Sequence, residues 1–241
     1  MTASRSVLQR VSDGRSASIR PKLTRFDIPG LALASVMVLV FVIELATGDL
    51  TSGAIESWSV SANAIRQGHV VGALTHMFAH ASIPHLMNLG ALLAFSSVIM
   101  RTVGFDGAGL VRYVALFLGS GLAGAATYLA IRPFGVVPML GASGAICGLW
   151  GAIARLHPEG QFRLPLMSRE IRLHLKDFLQ SNIILFVILF ALTRLAGGSG
   201  GLAWEAHLGG FLFGLLVGPS LLKLAPAGSS PIPVQPTSAM G

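Results

Sequence analysis

Polar residues are sparse along this chain and fall mainly between long apolar blocks. Six blocks stand out, over 29–46, 84–100, 111–131, 138–154, 179–196 and 202–222. Each is about 17–21 residues long, enough for a helix to cross a hydrocarbon core. The alternating polar and apolar positions of a membrane β-barrel are absent. The pattern therefore predicts an all-α polytopic membrane protein with six transmembrane helices. The second block is the shortest in apolar content, because it opens on the polar stretch PHLMN. No internal repeat is visible.

Composition strengthens this picture. Hydrophobic residues make up 53% of the chain and charged residues 11%, against about 25% charged in soluble domains. Mean hydropathy is +0.71. The net charge of +7 does not point to nucleic acid, because the basic residues lie in short segments between the apolar blocks. Of the 17 Lys and Arg, only Arg66, Arg132 and Arg194 fall on one side of the predicted topology. The bias places both termini in the cytoplasm. Cys147 is the single cysteine, which excludes an intrachain disulfide and zinc sites built on cysteine pairs.

Three regions follow. Residues 1–28 are rich in Arg and Ser and poor in acids, which suits a disordered cytoplasmic segment or an organellar transit peptide, but not a secretory signal. Residues 29–223 form the six-span domain. Residues 224–241 read as a disordered tail. The long external connection, about 47–83, mixes apolar and polar residues and is expected to rest partly in the membrane interface.

The topology gathers polar side chains at one level. The second, fourth and sixth spans all begin on the external side. His76, His80, His85 and Asn88 lie at or before the start of the second. Ser143 and His207 each lie about five residues into their spans, and so at similar depth. The stretch GASGAICGLWGA, Gly141 to Ala152, puts Gly144, Gly148 and Gly151 on the fourth span. Gly210, Gly214 and Gly218 follow His207 at intervals of four. Small faces of this kind let helices approach closely, and a short serine needs that closeness to meet an imidazole. Serine alone is a weak nucleophile and needs a base within hydrogen-bond reach. Glycine stripes also serve packing alone, and a serine in a span also bonds its own helix. Convergence of the three stretches favours chemistry. His157 and His174 sit among loop charges and are expected to be solvated. His76, His80 and His85 have no carboxylate companion of the metalloprotease kind, so no metal or other cofactor is expected.

These residues resemble the rhomboid family of intramembrane serine proteases. The resemblance covers about 70–223. GASG is similar to the family's GxSG motif, which implies Ser143 as nucleophile. AHLGGFLFG is similar to AHxxGxxxG, which implies His207 as general base. HASIPHLMN resembles HxxxxHLxxN, which implies that His85 and Asn88 bind the oxyanion, with Gly141 and Gly144 letting backbone approach the substrate. The family's bacterial form is a six-helix bundle with cytoplasmic termini. Two positions depart from the pattern. Asn88 follows His85 by three residues where the family has four, which on an α-helix turns the amide by about 100°. Pro84 suits a first helical turn, so His85 lies where the backbone is less fixed. Cys147 stands where an aromatic ring stacks on the base, leaving that ring to be held by another residue such as Trp204. The Trp-Arg pair of the first external loop is absent; Trp58 precedes Ser59.

The implied reaction is peptide-bond hydrolysis in or near the spans of membrane-protein substrates by a Ser–His dyad. His76 and His80 are expected to line a wet external cavity rather than to react. Two other readings exist: a catalytically inactive rhomboid-like protein that binds clients, and a small transporter relaying protons through His207. The transporter requires polar residues across the whole membrane, whereas here they stop in the external half.

Overall fold

The computed structural model describes residues 22–48, 58–157, 160–195 and 201–226. Most of the predicted N-terminal segment and of the tail lies outside them. Within 22–28 the chain forms a 3₁₀ turn, Arg25–Asp27, which leads directly into the first long helix.

Helix α1 (Ile28–Thr47) takes Pro29 in its first turn, where a missing N–H is harmless, and ends on Gly48 with φ 75°. Two short helices follow, α2 (Ala62–Arg66) and α3 (Gly72–Thr75). Helices α4 (Ile83–Leu86) and α5 (Leu89–Val103) are collinear parts of the second span, and α6 (Gly107–Ile131) is the third. Helix α7 (Ser143–Ile153), α8 (Arg169–Leu195) and α9 (Trp204–Leu221) complete the set. Among the described residues, four helical stretches are long and apolar enough to cross a membrane: 25–47, 83–103, 107–131 and 169–195. The architecture is a polytopic helical membrane fold.

The span predicted over 138–154 needs correction: it is helical only from Ser143. Residues ahead of it are held out of the helix because their backbone is bonded to the loop before α4. Val60 and Met139 exchange two bonds of 2.9 Å, and Gly141 N–H donates to the His76 carbonyl at 2.7 Å. Hydropathy cannot register this, since the apolar side chains of 138–142 read the same in either conformation. A small sheet is a second addition. Strand β1 (Leu156–His157) pairs antiparallel with β2 (Gly160–Arg163), which pairs parallel with β3 (Ala225–Pro226).

Helices α6, α7 and α9 form the tightest packing. Glycines let the backbones of α7 and α9 touch. A Cβ on Gly210 would overlap the Gly144 carbonyl, and one on Gly214 the Gly148 carbonyl. Helix α6 comes equally near: a Cβ on Gly124 of α6 would lie 2.7 Å from the Ala206 carbonyl. The main apolar core spreads from there over Met37, Leu92, Ile99, Leu116, Phe117 and Leu149, all buried. It encloses a Ser96–Tyr113 hydroxyl pair at 2.6 Å. Helix α8 lies at the edge, with 6% of its apolar window buried. It meets the bundle through Phe178, stacked on Phe211 with ring centroids 4.2 Å apart, and through His174, which accepts from Trp150 Nε1 at 3.2 Å. His174 is therefore not simply solvated, because the indole N–H of a half-buried Trp needs an acceptor.

The segment before α4 is packed, not wet. His76 is 3% exposed and His80 is fully buried, so neither lines an open cavity. His76 Nδ1 faces the Gly72 carbonyl at 3.2 Å and His80 Nδ1 the Phe78 carbonyl at 3.3 Å, so both rings carry their proton on Nδ1. Burial pushes His76 down from 6.5 to about 4 and lowers His80 as well.

Two outcomes follow from this packing. Gly214→Ala drives a methyl into the Gly148 carbonyl and should destabilise by about 1–3 kcal/mol, read as a lower unfolding midpoint in detergent. Gly90→Ala, with open space around it, should stay within about 0.5 kcal/mol of wild type. His76 titrates at a lower pH folded than unfolded, so its contribution is complete above about 6.5 and is lost as pH falls toward about 4. His76→Gln should flatten that part of the acid-unfolding curve, measured by thermal melts across the same range.

Candidate functional site

The site is built around the start of α7. Ser143 is its first helical residue, so its backbone N–H and that of Gly144 have no partner within the helix. Those groups and the helix dipole make the spot favourable for developing negative charge. Gly141, two residues earlier, has φ 113°, a left-handed conformation that disfavours any side chain. Its open face is covered by the Nε2–Cε1 edge of His85, which a Cβ would overlap. The His76 carbonyl bond to Gly141 N–H holds this loop in place.

The three-residue separation of His85 and Asn88 has a structural answer. Between α4 and α5 the chain winds as a 3₁₀ turn: Met87 N–H bonds the Pro84 carbonyl at 3.3 Å, Gly90 that of Met87 at 3.3 Å, and Ala91 that of Asn88 at 3.0 Å. At about three residues per turn, positions i and i+3 eclipse. That winding turns His85 and Asn88 toward one side, and both lie beside the His80 ring. Ser82 starts the turn by accepting from His85 N–H at 3.3 Å. Both polar atoms of the Asn88 amide are buried with no well-formed hydrogen bond, as is His80 Nε2, although the amide lies beside the His80 ring. The His80 and His85 rings meet edge to face, centroids 5.1 Å apart. Orphaned buried polar groups are costly and point to a ligand that completes them.

His207 reaches the same region from α9. It is 3% exposed and lies within electrostatic reach of His85. The contact that brings α9 in is the Gly144–Ala206 approach, where a Cβ on Gly144 would be 3.2 Å from the Ala206 carbonyl. Gly141 thus meets His85, His85 lies near His207, and Gly144, beside Ser143, approaches the backbone of Ala206, beside His207. Among the described residues, Ser143 Oγ makes no hydrogen bond to His207; such bonds often tighten only when substrate is held. The imidazole instead uses Nδ1 to contact Asn182 Oδ1 of α8 at 2.5 Å. Trp204, the residue considered for holding the ring, is 41% exposed and lines a cleft of about 350 Å³ with Phe178, Asn182, Phe186 and Leu208.

Two residues near the site were not singled out by sequence reasoning. Asn182 is one; it closes the short polar stretch Gln180–Ser181–Asn182 just before a long apolar run. Arg132 is the other. Its Nε donates to Glu205 Oε1 at 2.6 Å, with Glu205 1% exposed. That pair commits Glu205 elsewhere, so it does not serve as an acidic partner of His207.

Comparison with known proteins identifies the family. The family model described as "Rhomboid domain" matches residues 66–224. A relative named rhomboid protease GluP, from Bacillus subtilis (strain 168), is 26% identical over 198 residues, covering 79% of this chain and 34% of its own length. The chain thus spans about a third of that relative. With the family model covering well over half of the sequence and a helical membrane fold built around it, the chain belongs to the rhomboid family.

Proposed function

We propose that this chain is an intramembrane serine endopeptidase that cleaves membrane-protein substrates in or near their transmembrane segments. One observation carries the reading: a serine begins α7 at its free N–H end, one glycine away from the backbone contact that brings His207 in on α9. The name of the bacterial relative supports it.

In the proposed reaction His207 Nε2 removes the proton from Ser143 Oγ, which bonds to the scissile carbonyl carbon. The oxyanion lies over the Ser143 N–H, with His85 and the Asn88 amide as further donors. Collapse breaks the C–N bond, and the proton on Nε2 passes to the leaving amine. Water, deprotonated by His207 in turn, releases the acyl group from Ser143. Each preorganised oxyanion donor contributes about 3–4 kcal/mol. The apolar cleft between α8 and α9 suits a segment arriving from the lipid side. The proposal includes six spans in a bacterial inner membrane, both termini cytoplasmic and the site in the external half, in keeping with the Lys and Arg bias. It also treats 29–223 as the membrane domain, flanked by polar ends.

The second reading, an inactive client-binding protein, is favoured by one feature: among the described residues Ser143 Oγ makes no hydrogen bond to His207. Reconstitution with a single-span model substrate separates the two. Wild type should cleave it, while Ser143→Ala and His207→Ala should fall by at least about 10³-fold. Asn88→Ala should lower kcat by about 10²–10³. Equal turnover by wild type and Ser143→Ala excludes the mechanism.

A further inference from the structure

We infer that Asn182 is a positioning residue that fixes the proton of His207 on Nδ1 and leaves Nε2 as the base. The inference rests on the Ser143–His207 reading above and adds a helix that none of the motifs includes.

The amide of Asn182 has two unlike ends. Its Nδ2 lies 2.9 Å from the Phe178 carbonyl, one turn earlier on α8. A carbonyl only accepts, so that end must be the NH₂. The other end, Oδ1, therefore faces His207 Nδ1 at 2.5 Å. An amide oxygen only accepts as well, so Nδ1 must carry hydrogen. A neutral imidazole has one N–H, which leaves the Nε2 lone pair free. The tautomer of His207 is thus dictated through two hydrogen bonds by the backbone of α8.

The surroundings make this matter. His207 is almost wholly buried, and Cys147, on the neighbouring helix, offers no ring to stack against it. Glu205 is held by Arg132. The half-buried Asn182 is the hydrogen-bonding side chain left to orient the imidazole. During the reaction the Ser143 proton moves to Nε2 and on to the leaving amine, while the Nδ1 proton stays in its bond to Asn182. The logic parallels hydrolases in which an asparagine orients the base histidine.

The full chain, purified in detergent and labelled with ¹⁵N in its histidine rings, tests this by two measurements. One is the rate at which a fluorophosphonate modifies Ser143. The other is the ¹⁵N signature of His207, assigned by comparison with His207→Ala. Wild type should show protonated Nδ1 and unprotonated Nε2. Asn182→Leu should lose that signature and label about 10- to 100-fold more slowly. Asn182→Asp, which keeps an acceptor at the same place, should restore the tautomer and most of the rate.

An unchanged labelling rate in Asn182→Leu overturns the inference. So does a slower rate with the Nδ1–H signature intact, since Asn182 would then act through packing alone. Failure of Asn182→Asp to restore the tautomer overturns it also. If wild type shows no labelling that depends on Ser143, the hydrolase reading falls, while the histidine spectrum still decides whether Asn182 sets the tautomer.

Discussion

Everything near Ser143 depends on backbone touching backbone between α7 and α9. Where Gly210 faces the Gly144 carbonyl and Gly214 that of Gly148, no side chain separates the helices. In lipid, apolar side chains gain little by leaving their surroundings, so helix association relies on close packing and polar contacts. Glycine supplies the first directly. It also brings α9 close enough for an imidazole on its first turn to lie beside the first turn of α7. A methyl group at any of these points would move the base away from the serine before it altered either residue chemically.

The second requirement is polar order in an apolar medium. An isolated buried imidazole or amide is expensive, and here most of them are answered locally. His76 and His80 meet carbonyls of their own loop, Glu205 meets Arg132, and Ser96 meets Tyr113. The Asn88 amide and His80 Nε2 lie together beside His85 without a well-formed bond, while Ser120 Oγ, Arg155 Nε and Glu205 Oε2 are left over elsewhere. Such a residue of unmet hydrogen bonding is tolerated when it belongs to a site that binds something polar.

Much of the fold is legible in the apolar blocks, because a bilayer sets helix length so strictly. The start of α7 is not, since residues 138–142 are apolar whether they are helix or bridged strand, and only the partner Val60 decides. The spacing of His85 and Asn88 looks unfavourable under α-helical periodicity. The 3₁₀ winding that realigns them is visible only in the bonds of Met87, Gly90 and Ala91. Ser143 and His207 announce themselves as polar residues amid glycine. Asn182 does not, because an amide beside Gln180 and Ser181 at the head of an apolar run carries no pattern of its own, and its partner lies 25 positions away. The Trp150–His174 contact is hidden for the same reason.

The small sheet has a mechanical consequence. Two helix faces made of glycine are smooth, with no knobs to stop one helix sliding along the other. A slip of one residue would shift the helices by about 1.5 Å, enough to spoil any bond between their side chains. Strand β1 begins soon after α7 ends, β3 begins soon after α9 ends, and β2 is bonded to both. The far ends of the two helices are thereby pinned to one short ruler. Axial alignment at the serine end is set by hydrogen bonds at the opposite end of the bundle.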